Sequence, residues 1–258
     1  MTNRTENPPL QQHPVTPPLA SMRSGAQWSI RNASLTAGIA LLLMSVVAIL
    51  GNVVVINGLI TDGDAARTAD DITASAGLFR LGIVSLVVVI ALDVVVAWAL
   101  YRVFSPVSAS LSMLAATLRL VYSAVFLVAV GQLVGVVRLL ADEGNRAVLG
   151  DELVQVQAMQ GVIAFTDIWY VSQFLFGLHL LLIGYLAYRS GYIPRVLGVL
   201  LVIAGLGYAT DSFGGVLSQG SWTAVSAFTF LGEFLLAVWL VARAGRVADG
   251  AAALEARL

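Results

Sequence analysis

Apolar residues run through this chain in six long blocks, and polar stretches holding most of the charge separate them. A helix needs about 20 mostly apolar residues to cross a hydrocarbon core. Segments at 33–56, 80–103, 109–138, 168–189, 194–216 and 222–243 reach that length. The third is long enough to tilt or protrude. Between the fourth and fifth lies Arg189-Ser190-Gly191-Tyr192-Ile193-Pro194-Arg195. There Gly191 accepts a helix-ending conformation and Pro194 suits the first turn of the next helix. The pattern predicts an all-α fold, a polytopic integral membrane bundle of six transmembrane helices.

Two stretches fall outside these blocks. Residues 1–30 carry Pro8, Pro9, Pro14, Pro17 and Pro18 and little apolar sequence, and they read as a disordered cytoplasmic tail. They do not read as a signal peptide, because the first apolar block begins late and lacks a small-residue cleavage motif. Residues 246–258 read as a short cytoplasmic tail without a motif, leaving 31–245 as the transmembrane domain. In 148–165, Leu149, Leu153, Val156, Met159 and Ile163 follow helical spacing, with Gln155, Gln157 and Gln160 between them. An amphipathic helix lying on the outer face is the preferred reading, and a short re-entrant element the alternative.

Composition supports the bilayer as solvent. Of 258 residues, 59% are hydrophobic and 11% charged, and the mean hydropathy is +0.88. Soluble domains carry about 25% charged residues because their surface meets water. The net charge of −1 supplies no basic face, so nucleic acid is excluded as a partner and the lipid bilayer is expected instead. Arg23, Arg31, Arg102, Arg189, Arg195, Arg243 and Arg246 gather on one side of the spans. Asp62, Asp64, Asp70, Asp71, Asp142, Glu143, Asp151 and Glu152 gather on the other, opposed by Arg67, Arg146 and the helix-end residues Arg80 and Arg138. Cationic loops resist export, which predicts a multi-pass protein of the cell membrane with both termini cytoplasmic.

Several chemistries lack their residues. The chain has no cysteine, which removes disulfides, thiol nucleophiles and thiolate metal sites. Every basic residue is arginine, so no lysine can form a Schiff base. There are two histidines, and His13 lies in the Pro-rich tail, so a bis-His haem or a multi-His zinc centre has no ligand set. No cofactor or metal is expected, and no catalytic residue can be assigned: GxSxG, HExxH and Walker motifs are all missing. An inverted repeat of broken helices, the usual pointer to a transporter site, is also missing.

Charge inside a bilayer is costly, so each ionisable residue within a span needs a partner or water. Asp93, His179 and Glu233 sit near the middles of the second, fourth and sixth spans, Arg119 about ten residues into the third, and Asp167 and Asp211 nearer the outer ends of theirs. Arg119 shares a face with Ser112, Ala115, Tyr122 and Ser123; Trp222, Ser226, Thr229 and Glu233 form one stripe, and Ser172, Phe176, His179 and Ile183 another. The permanently cationic Arg119 requires a carboxylate, from Glu233 or Asp93. A buried polar cluster of Asp93, Arg119, Tyr122, His179 and Glu233 is therefore the candidate site. Gly131 and Gly135 have the GxxxG spacing for close helix packing, expected within the protomer, with a homodimer face as the alternative. The glycines of the fifth span, Gly198, Gly205, Gly207, Gly214 and Gly215, give it a narrow surface.

From Phe176 onward the chain resembles the bacterial domain-of-unknown-function family 4386. The resemblance rests on Gly177-Leu178-His179-Leu180-Leu181-Leu182-Ile183-Gly184-Tyr185-Leu186, on Tyr188-Arg189-Ser190-Gly191-Tyr192-Ile193-Pro194-Arg195, on Ala204-Gly205-Leu206-Gly207-Tyr208 with Asp211-Ser212, and on Gly232-Glu233-Phe234-Leu235-Leu236-Ala237-Val238-Trp239-Leu240. Arg119-Leu120-Val121-Tyr122 is similar to the family's arginine-bearing third span. Many members carry a Glu where this chain has Tyr122, and that departure moves the partner of Arg119 to another helix. The resemblance implies six spans and draws attention to Arg119, His179, Asp211 and Glu233, but it implies no activity. Three functions stay open, in order: a non-enzymatic membrane protein acting through packing or a partner; a small transporter or channel using the polar cluster as a proton or substrate path; and an intramembrane hydrolase of lipid pairing His179 with Asp167, Asp211 or Glu233.

Overall fold

The computed structural model describes residues 29–218, 225 and 231–256, and among them every regular element is helical. The first apolar block forms α1 (Ile30–Ala48), opened by the Ser29 hydroxyl accepting from the Asn32 amide. It continues through a π-helical segment, Ile49–Ile56, and a 3-10 turn, Asn57–Leu59. The short α2 (Ala65–Ala74) is capped by Asp64, which accepts from Arg67 N at 2.9 Å. Next come α3 (Ala76–Phe104) and α4 (Ala109–Ala141), joined by a tight turn in which Ser108 caps α4. The link after α4 carries α5 (Glu143–Leu149), and Gly150 at φ +81° redirects the chain into α6 (Asp151–Ser190).

Gly191, at φ +74°, ends α6 in the left-handed conformation that glycine adopts without steric cost. Pro194 stands one residue before α7 (Arg195–Leu217), as its N-cap and not inside its first turn. The last two helices are α8 (Leu231–Ala242) and α9 (Ala244–Glu255). Among the described residues, five helical stretches are long and apolar enough to cross a membrane: Ile30–Leu59, α3, α4, α6 and α7, with α8 a shorter apolar helix. The first part of the segment at 222–243 lies mostly outside the described residues.

Packing closes these helices into a ring. Each packs on the next, α1 on α3, α3 on α4, α4 on α6, α6 on α7, α7 on α8, and α8 back on α1. Neighbours alternate in direction, and short turns join α3 to α4 and α6 to α7. The tightest seam is α6–α7, held by two reciprocal glycine pairs. A Cβ on Gly177 would lie 2.7 Å from the Gly205 carbonyl oxygen, and one on Gly184 2.7 Å from that of Gly198. Both pairs are centred on Gly191, so one turn sets the register of both.

Two expectations change here. The stretch at 148–165 is neither a surface-lying helix nor re-entrant. Most of it continues the fourth span within the single 40-residue α6. At about 1.5 Å per residue α6 is roughly 60 Å long, twice the hydrocarbon thickness. It stays upright because Val154, Ala158, Val162 and Phe165 are buried where α6 packs on α4 and α2. Gly131 and Gly135 do not pack within the protomer, for a Cβ on either would meet nothing within 4 Å. They point away from the ring because Arg119, Phe126 and Leu133 turn the opposite face of α4 inward. α9 buries Ala244, Val247 and Ala251 and packs on α1.

Candidate functional site

Arg119 is the largest side chain in the fully buried interior, with 1% of its surface exposed. Its Nε donates to Asp93 Oδ1 at 2.8 Å, and Nη2 pairs with the same oxygen. Nη1 contacts His179 Nε2 at 3.2 Å, and Nη2 also approaches Met44 Sδ at 3.9 Å. The guanidinium carbon lies 5.1 Å from the centre of the Phe176 ring. Of the two carboxylates open to Arg119, Asp93 is therefore the one that pairs. The reason is topological. Asp93 and Arg119 each stand thirteen residues from Pro106 in the α3–α4 turn, so the antiparallel hairpin brings them to one depth.

The hydrogen bonds also fix the state of His179. Arginine has no acceptor, so Nε2 must offer its lone pair to Nη1. Nδ1 then carries the proton and donates to the Ala115 carbonyl at 2.8 Å. His179 is a neutral imidazole clamped between two groups of α4, and neither ring nitrogen reaches a carboxylate.

The centre draws on all six helices of the ring: Met44 from α1, Asp93 from α3, Arg119 from α4, His179 and Phe176 from α6, Tyr208 from α7 and Glu233 from α8. Tyr208 donates its hydroxyl proton to Glu233, which sits within the field of both Arg119 and Asp93. Glu233 thus joins the cluster as a second carboxyl beside one cation. Tyr122 also joins it, by stacking. Its ring is 4.8 Å from that of Phe176 and 5.9 Å from that of Phe126, and its hydroxyl accepts from Trp169 Nε1 at 3.2 Å. Ser123, next to it, donates to the Arg119 carbonyl at 2.8 Å.

The remaining expected residues lie apart. Asp167 is exposed on α6. Asp211 is wholly buried and accepts from Val225 N at 2.7 Å. The faces read on α4 (Ser112, Ala115, Tyr122, Ser123) and α6 (Ser172, Phe176, Ile183) are buried. Trp222, Ser226 and Thr229 lie outside the described residues. Sequence reasoning missed Met44 and Tyr208 as members of the centre. No local signal marks Met44, while Tyr208 lay within the motifs quoted above. Among the described residues, no group of three or more His, Asp or Glu is placed to hold a metal. An open groove of about 460 Å³ along Thr117, Leu120, Val121, Ala124, Val125 and Val128 is confined to the outward face of α4 and does not reach Arg119.

These features define a polytopic helical membrane protein with an ion pair at its centre. The chain belongs to the family described as "Domain of unknown function (DUF4386)", whose model matches residues 36–244. It is similar to an "Uncharacterized protein" of Archaeoglobus fulgidus, 34% identical over 167 residues, spanning 65% of this chain and 86% of the relative. No solved structure matches.

Proposed function

We propose that this chain is a non-enzymatic integral protein of the cell membrane, crossing it six times with both termini cytoplasmic, in which the Arg119 cluster locks the helix ring. One observation carries the reading: each guanidinium nitrogen of Arg119, on α4, has a protein acceptor, supplied by side chains of α1, α3 and α6. An arginine in that position is tolerated only because its charge is matched within the protein. The segment at 222–243 completes the sixth crossing, and the arginine-rich ends of the spans face the cytoplasm. The Pro-rich 1–30 precedes the bundle as a tail.

Removing one member of a buried ion pair costs about 3–5 kcal/mol, whereas replacing both by apolar residues is often neutral. Asp93→Asn should therefore cut stability in detergent and abundance in the membrane. Asp93→Leu combined with Arg119→Met should recover most of both. A double variant as unstable as the single one would refute the locking role.

Glu233 supports a second reading, because the cluster offers two carboxyls to one permanent cation. A proton path would use that spare carboxyl. Glu233→Gln would then abolish proton flux into dye-loaded proteoliposomes while leaving abundance unchanged. Wild-type liposomes without flux above empty controls would dismiss it.

A further inference from the structure

The ends of α6 and α7 carry a feature that the central cluster does not use. Tyr185 and Tyr188 lie three residues apart on α6 and so share a face, and both are nearly half exposed, at 46% and 45%. Each carries an arginine on its ring. Arg189 sits 6.0 Å from the centre of Tyr185, and Arg195, reaching across from α7, 5.5 Å from that of Tyr188. The two guanidinium groups are therefore neighbours on one patch. Neither forms an ion pair with a carboxylate among the described residues.

The patch is also fixed in place. The Gly184–Gly198 contact brings the two backbones together beside the patch itself, where a Cβ on Gly198 would stand 2.9 Å from Tyr188 Cβ. The turn between is anchored by Tyr192, whose hydroxyl donates to the Val103 carbonyl at 2.7 Å, and by Ile193 N donating to Ser190 Oγ at 3.1 Å. Stacking on a ring holds a guanidinium flat with its N–H edge outward, the orientation that matches the paired oxygens of a phosphate. Tyrosine at the end of a span sits at headgroup level.

We infer that Tyr185, Tyr188, Arg189 and Arg195 form a binding site for the phosphate of an anionic phospholipid. The two guanidinium groups hold the headgroup, and the two rings lie against the upper part of its chains. Two adjacent cations without a carboxylate partner among the described residues favour an anionic over a zwitterionic lipid. This site requires only that the chain sits in a bilayer, and it stands whether the centre acts as a lock or as a path.

The test is native mass spectrometry of the full chain released from nanodiscs containing equal phosphatidylglycerol and phosphatidylcholine. Wild type should retain phosphatidylglycerol preferentially. Each arginine near an anionic surface is worth about fivefold in partitioning, so Arg189→Gln with Arg195→Gln should reduce retention on the order of 25-fold. Tyr188→Leu, which keeps both charges, should reduce it less, and circular dichroism should show both variants fully helical. Arg243→Gln, which removes another ring-stacked arginine elsewhere on the ring, should leave the preference intact. Equal retention by wild type and double variant would overturn the site. So would an equal loss in Arg243→Gln, which would mean diffuse rim charge. Displacement of the lipid by millimolar inorganic phosphate would assign the patch to a soluble anion instead. If the double variant fails to fold, Arg189→Lys with Arg195→Lys serves in its place: retention should fall several-fold because the flat N–H edge is lost, and unchanged retention would refute the geometry.

Discussion

Gly184 and the GxxxG glycines make opposite predictions from the same residue type. A Cβ added to Gly184 would stand 2.7 Å from the Gly198 oxygen, 2.8 Å from Val202 Cγ2 and 2.9 Å from Val202 N. Ordinary van der Waals contact begins near 3.4 Å, so the overlap is about half an ångström or more, against backbone that cannot rotate away. The helices must separate, and with them the Gly177–Gly205 pair. Overpacking of this kind costs about 1–3 kcal/mol. Gly184→Ala should lower the unfolding free energy by that amount. Gly184→Ala with Gly198→Ala should cost less than the sum, because one separation relieves both. Gly131→Ala with Gly135→Ala places its methyl groups in open space and removes two helix-weakening glycines. It should be neutral or stabilise by up to about 0.5–1 kcal/mol per site. The assay is reversible SDS unfolding in mixed micelles, followed by far-ultraviolet circular dichroism. Equal stability of Gly184→Ala and wild type, or a loss in Gly131→Ala with Gly135→Ala matching that of Gly184→Ala, would refute the packing argument.

The other predictions are more local. His179→Leu removes the second bond to the Ala115 carbonyl, leaves an Arg119 N–H without its partner and should cost about 1–3 kcal/mol in the same assay. Burial raises the Tyr192 hydroxyl above its ordinary value near 10. Its contribution is therefore complete below about pH 10, where the unfolded phenol is also neutral, and is lost as pH climbs further. Tyr192→Phe should be less stable than wild type at pH 8, and that gap should narrow above pH 10; a constant gap would contradict the linkage. Single cysteines, introduced into a chain that has none, should label with a charged maleimide at Glu152 or Gln157 on the protruding part of α6. Cysteine at Leu182 should resist labelling. A reporter fused after Leu258 should read cytoplasmic and one near Asp70 external; the reverse pattern would overturn the orientation.

Local physics fixed a good part of this protein in its sequence. The length of each apolar block follows from the thickness it must match, and the helical period alone placed Arg119, Tyr122 and Ser123 on one buried face. Gly191 announced the α6–α7 turn because few other residues hold φ +74° without strain. The partner of Arg119 required the tertiary structure, since Asp93 and Glu233 are equally apolar-flanked carboxyls in the sequence. Distance from the α3–α4 turn, a signal present but unread, decides for Asp93. The same holds for glycine: Gly184 and Gly131 look alike until ring closure turns one against a neighbouring backbone and the other outward. A one-dimensional pattern states how each helix meets its solvent. Which helix lies beside which, and at what depth their side chains meet, is set only when the six close on one another.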